Sequence, residues 1–218
     1  MNVMPKWLQK YLGAHSAEQV KAAVHNAEVL TTGEIVPMIV RRSAATGHVP
    51  MIAGLYLLIV VLIGELTGLG LGSFEFHPLI VFALGASALM LGAVAANAPF
   101  VQRLLTAKPD RIGQVEQRAR IEFESARLYS TKERTGILLF VSLMERHAVV
   151  LADHGISSKL QPGVWDEVLE LLIKGIKQGD MGRGYVDAID KCGSILATHF
   201  PPGTSNPNEL DNKLIWKE

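Results

Sequence analysis

The chain has a single cysteine, Cys192, among its 218 residues. One thiol excludes an internal disulfide and any cysteine-rich zinc site, so a reducing compartment suits the chain and an oxidising one adds nothing. A basic excess is missing as well, since 21 Lys and Arg face 21 Asp and Glu. No surplus of cations is present to neutralise a phosphate backbone, which argues against a nucleic-acid partner. Three common catalytic signatures are absent: no GxxxxGK[ST] loop, no HExxH and no GxSxG elbow. The first twenty residues, MNVMPKWLQKYLGAHSAEQV, hold no apolar core of signal-peptide length, so no cleaved leader is expected.

Charge is scarcest between residues 49 and 101, where Glu65 and Glu75 are the only ionised side chains. The rest of the chain carries every Lys and Arg against the other 19 acids, the balance of an ordinary soluble surface. Inside the charge-poor stretch, Leu79 to Ala96 reads LIVFALGASALMLGAVAA, with no charge at all. At about 1.5 Å per residue this run covers roughly 27 Å, close to a bilayer core. Met51 to Gly64 is apolar but short, and a full crossing has to run on through Glu65 to about Leu71. The link SFEFHP is brief, so an antiparallel transmembrane hairpin is expected.

Flanking charge orients that hairpin. Arg41 and Arg42 precede it, Arg103, Lys108 and Arg111 follow it, and the link has no basic residue. The positive-inside rule then puts both flanks, with both termini, on the cytoplasmic side of a bacterial inner membrane. Gly64, Gly68 and Gly72, spaced by four, offer a surface for close helix approach, either as the hairpin's internal seam or as a self-association contact. Glu65 is a carboxylate within the span. It acts as an intramembrane functional group or snorkels to interfacial water near the span's end.

Around the hairpin the patterns are those of a soluble domain. SAEQVKAAVHNAEVL reads as a helix, with Ser16 and Gln19 at capping-box spacing and Val20, Ala23, Val24 and Ala27 on one stripe. IVPMIVR reads as a strand whose Pro37 suggests an edge or a bulge. After the hairpin comes a charged helix with Val115, Ala119, Phe123 and Ala126 on one face. GILLFVSL and HAVVLAD then form a strand pair about the short link MER. WDEVLELLIKGIKQG and YVDAIDKCGSILATHF are amphipathic helices, and residues 201–218 read as a loose tail. The N-terminal PKWLQKYL lies on a membrane surface or packs on its own domain.

The expected organisation is α/β, a three-layer α-β-α sandwich with a small mixed sheet, interrupted by the helical hairpin. Residues 1–46 supply the first part of the domain, 47–100 the hairpin, 101–200 the remainder and 201–218 the tail. His147, Asp153 and His154 do not make a metal site by themselves, because strand positions 147 and 153 point one way and 154 the other. GDMGRG precedes a helix and is either a linking turn or an anion-binding helix start.

TTGEIVPMIVR, RTGILLFVSLMERHAVVLADHGI and VWDEVLELLIKGIKQGDMGRGYVDAI together resemble the TPM-domain family. That resemblance spans about residues 15–46 and 110–200. It implies a four-stranded α-β-α fold and, in some members, calcium binding and weak acid-phosphatase activity. Other members assist the repair or assembly of membrane complexes, or serve as auxiliary subunits of membrane proteins. Carried over by position, the candidate metal-binding acids are Glu34, Glu145, Asp153 and Asp166, with Glu145 and Asp166 the candidate catalytic pair. Glu145 stands where many relatives have Asp, and KERTG replaces an Asn-rich loop.

Carboxylate oxygens of this kind suit Ca²⁺ or Mg²⁺, and such an ion can polarise a phosphate ester. Each acid also has a structural reading, Glu145–Arg146 as an exposed turn ion pair and Asp166 as a helix-start charge. The leading functional expectation is a membrane-anchored interaction or assembly module. Its partners are the lipid bilayer and another membrane protein, or a second copy through the glycine-spaced span. A metal-dependent phosphatase and a small oligomeric transporter are the alternatives.

Overall fold

The computed structural model describes residues 4–13, 15–43, 49–66, 78–95, 98–202 and 209–218. In chain order the elements are α1 (Lys6–Gln9), α2 (Ser16–Glu28), β1 (Glu34–Val40), α3 (Val49–Leu66), α4 (Pro78–Ala95), α5 (Pro99–Leu105), α6 (Lys108–Ser125), β2 (Gly136–Ser142), β3 (His147–Ala152), α7 (His154–Ser157), α8 (Asp166–Lys177), α9 (Met181–His199) and β4 (Ile215–Lys217). The chain divides into two compact units, Met1–Ser43 with Gly113–Glu218, and Ala44–Ile112.

The first unit is built on a mixed sheet in the order β3-β2-β1-β4. β1 runs parallel to β2 and β4, while β2 and β3 are antiparallel. Strand alternation sends Ile35, Ile39, Ile137 and Leu139 to one face, where they meet Val20 and Val24 of α2, Leu172 of α8 and Ile189 and Leu196 of α9. Val36, Met38, Leu138 and Phe140 go to the other face, against Val115 and Ala119 of α6. β1 and β2 are buried along their whole lengths because helices cover both faces. Leu8 and Leu12 enter the first of these cores, so the N-terminal segment packs on its own domain.

Three local expectations are corrected here. Ser16 is the first residue of α2 and does not cap it; it packs under Gly182 of α9, and His15 holds the cap position without a side-chain bond. Pro37 lies in an interior strand. It is tolerated because β4 pairs only with Met38–Val40, which leaves Pro37 beside a single neighbour, β2. The tail is not loose throughout, since β4 extends the sheet. Glu122 of α6, buried in the interior, accepts from Arg118 at 2.9 Å and from Lys217 of β4.

In the second unit α3 and α4 are each 18 residues long and pack antiparallel. A Cβ on Gly92 would lie 2.6 Å from the Gly54 Cα, so the two backbones touch there and only glycine fits. Gly85 faces Leu58 further along. The close seam is therefore at Gly54 and Gly92, not at Gly64, where an added Cβ would meet nothing within 4 Å. Gly68, Gly72 and the side chain of Glu65 lie outside the described residues. Among the described residues, no helix is long and apolar enough to cross a membrane. The two full crossings expected from the sequence are thus not supported by these helices as they stand.

Candidate functional site

The sheet presents two ends with different chemistry. One end gathers the starts of β1 and β2 and the finish of β3, where Asp153 N–H donates to the Gly136 carbonyl. Glu34 opens β1, buried, and its carboxylate accepts from the backbone N–H of Glu209 at 3.2 Å and of Leu210 at 3.3 Å. Glu28, one turn beyond Val24 on the buried stripe of α2, accepts from Ile35 N–H at 2.9 Å and from the Asn212 amide. These two acids fasten the segment before β4 to the domain.

Burial pushes the Glu28 carboxyl up to about 8, against the pull of the Ile35 N–H, and the neighbouring Glu34 charge adds to the rise. Burial also raises Glu34, opposed by its two backbone donors. Asp153, at the same end, is held by Arg134 in a two-pronged bond at 2.7 and 3.0 Å and accepts from His154 N–H, capping α7. Arg134 itself takes a left-handed backbone, φ 56°.

Glu145 belongs to the opposite end, in the β2–β3 link. It is buried, accepting from Ser43 N–H at 3.1 Å and from the Ser142 hydroxyl, which in turn accepts from the Ser43 hydroxyl at 2.9 Å. It is not an exposed turn residue. Six strand steps of about 3.3 Å put it roughly 20 Å from Glu34. A calcium ion takes its ligands within about 2.6 Å, so no single ion reaches both. Asp166, the other expected catalytic acid, is exposed at the first position of α8, where its charge suits the helix dipole. The four acids singled out from the sequence are therefore divided between two ends. Among the described residues, no group of three or more His, Cys, Asp and Glu is placed to hold a metal ion.

The Glu145 end also has a cleft of about 480 Å³, lined by Ser142, Arg146, His147, Ile173, Ile176 and Lys177 among others. It opens where β2 ends and β3 begins, at the C-terminal end of a parallel strand, the side on which open α/β sheets bind ligands. The GDMGRG segment offers no such site. Asp180 caps α9 by accepting from Arg183 N–H at 3.0 Å, so the helix start already has its anion.

Sequence reasoning missed Glu28, Glu122, Asn212 and Lys177. Glu28 had a signal, an acid on an otherwise apolar stripe four residues after Val24. Lys177 follows Ile173 by four, on the same helical line. Nothing local marked Asn212.

Residues 101–195 match the family model described as the TPM domain. The fold is similar to the NMR structure of BA42 protein from the psychrophilic bacterium Bizionia argentinensis, with a TM-score of 0.59 and 20% sequence identity. That likeness covers 96% of this chain and 98% of the BA42 chain. No curated protein matched the sequence.

Proposed function

We propose that the chain is a membrane-anchored TPM-domain protein, in which the second unit holds the first at a membrane and the first contacts another membrane protein. The observation that carries this reading is the exterior of α3 and α4. Met51 is 77% exposed, Tyr56 68%, Met90 71% and Val94 63%, and Leu55, Ile63 and Leu91 lie open beside them. Soluble helices keep a polar face for water; these two present apolar side chains outward.

Lipid is the solvent that removes this cost. Each 18-residue helix rises about 27 Å, just under a hydrocarbon core of about 30 Å. The described helices do not by themselves amount to a span, and support for anchoring comes from their exterior together with the chain around them. Residues 67–77 bring no Lys or Arg, whereas Arg41, Arg42, Arg103, Lys108 and Arg111 flank the pair. That asymmetry favours the cytoplasmic side for both flanks. Residues 101–195 match the TPM-domain model, and the resemblance implies assembly work at a membrane for some such modules.

Cysteine labelling tests both parts. With Cys192 replaced by Ser, a cysteine at Ser73 is expected to react with an impermeant maleimide in intact cells, and one at Thr204 only after lysis. Labelling of Thr204→Cys from outside would overturn the orientation. Full reactivity of both variants in a detergent-free soluble fraction would overturn the anchoring.

A further inference from the structure

We propose that the cleft where β2 ends and β3 begins binds a small anionic amphiphile, an anionic head group carrying an apolar tail. This goes beyond the anchoring proposal and does not depend on it. The cleft, about 480 Å³, falls within the usual range for small-molecule sites. Its wall is divided by chemistry. Val141, Leu143, Ile173 and Ile176 supply apolar lining, while Arg146, His147 and Lys177 supply polar groups, with no Asp or Glu among the lining residues.

The cations are unengaged. Neither Arg146 nor Lys177 has an acidic partner among the described residues. Glu145, next to Arg146 in sequence, turns its carboxylate to Ser43 and Ser142. Two permanent cations against that one carboxylate leave the cleft with a positive excess. Arg146 is held on a left-handed backbone, φ 52°, in a turn closed by its N–H on the Leu143 carbonyl, so its position is set by the hairpin and not by a flexible loop.

The position of the head group follows from the helix. Ile176 and Lys177 belong to the last turn of α8, whose carbonyl dipole repels an anion, and Ile173 to the turn before. The head therefore sits toward Arg146 and His147, with Lys177 offsetting the dipole, and the tail lies along Ile173 and Ile176. Arg146 is suited to this because its planar fork can take a carboxylate or phosphate by two bonds.

The test follows isoleucine methyl resonances of the full chain in uncharged detergent during titration with hexanoate, hexyl phosphate, hexanol and inorganic phosphate. Hexanoate and hexyl phosphate are expected to shift Ile173 and Ile176 saturably. Hexanol and inorganic phosphate should each bind about ten-fold or more weakly. Arg146→Gln with Lys177→Gln should weaken hexanoate by about ten-fold, and Lys174→Gln, on the same helix but outside the cleft, should leave it unchanged. Hexanol binding as tightly as hexanoate, phosphate as tightly as hexyl phosphate, or an unchanged affinity in the double variant would each overturn the proposal. Given binding, tighter affinity for octanoate than hexanoate assigns the ligand to lipid-derived chains, and equal affinity to short soluble acids; both outcomes support the site.

Discussion

The two units solve opposite solvation problems. In the first, Leu139, Phe140, Tyr185 and Leu196 are wholly buried and the helices turn charge outward. In the second, α3 and α4 meet at Gly54 and Gly92, and large apolar side chains such as Met51, Tyr56 and Met90 face out. A single chain seldom mixes these patterns in one solvent. On the anchoring proposal, the first unit is held together by excluding water, whereas the second is suited to surroundings that are themselves apolar.

The sharpest way to break the comparison is to truncate on each side of it. Leu139→Ala in the first core should cost about 2–5 kcal/mol, read as a fall in the unfolding midpoint of the detergent-solubilised chain. Leu91→Ala, on the exposed surface of α4, should cost well under about 1 kcal/mol in the same assay. Equal losses would mean that Leu91 is packed against protein.

The second test is pH. The folded Glu28 carboxyl titrates near 8, above its ordinary 4.5. An acid with a raised folded value is accommodated without cost below about pH 4.5, loses stability as pH climbs toward 8, and levels off beyond. The expected loss is on the order of 5 kcal/mol. Glu34, also raised, adds to the slope. Glu28→Gln should flatten most of the curve and make the protein more stable than the parent at pH 9. A parent profile rising from pH 5 to pH 8 would contradict the account.

Met90→Arg separates lipid from water as the surroundings of α4. In a bilayer the substitution should cost about 2–3 kcal/mol and lower the membrane-inserted fraction in a pulse-labelled insertion assay. On a wet surface it would stay within about 0.5 kcal/mol. Gly175→Ala comes next, at about 1–3 kcal/mol, because its Cβ would fall 2.3 Å from the Gly184 Cα where α8 and α9 meet. Smallest is Asp166→Ala, about 0.5 kcal/mol from the lost helix-start charge, measured by thermal unfolding.

Much of the first unit was legible in advance, for identifiable reasons. The nearly continuous apolar runs IVPMIVR and GILLFVSL marked β1 and β2, and the stripes on α2, α8 and α9 marked their buried faces. β4 was hidden because it is only three residues long and pairs with β1 from far away in sequence. Glu34 opens β1, Asp153 follows β3 and Asp166 opens α8, whereas Glu145 lies buried within the β2–β3 link. Which end each occupies depends on the parallel register of β1 with β2 and the return of β3, and no local pattern encodes that. The cleft was illegible for the same reason, since Tyr11, Arg146 and Lys177 meet only after α1, the β2–β3 link and the last turn of α8 are placed.

Extraction of membranes from cells expressing the full chain is the most direct test of the anchoring claim. After alkaline carbonate treatment the protein should remain in the pellet and leave it only with detergent. Release into the carbonate supernatant as a monodisperse species would contradict the account and require the exposed faces of α3 and α4 to be covered by protein.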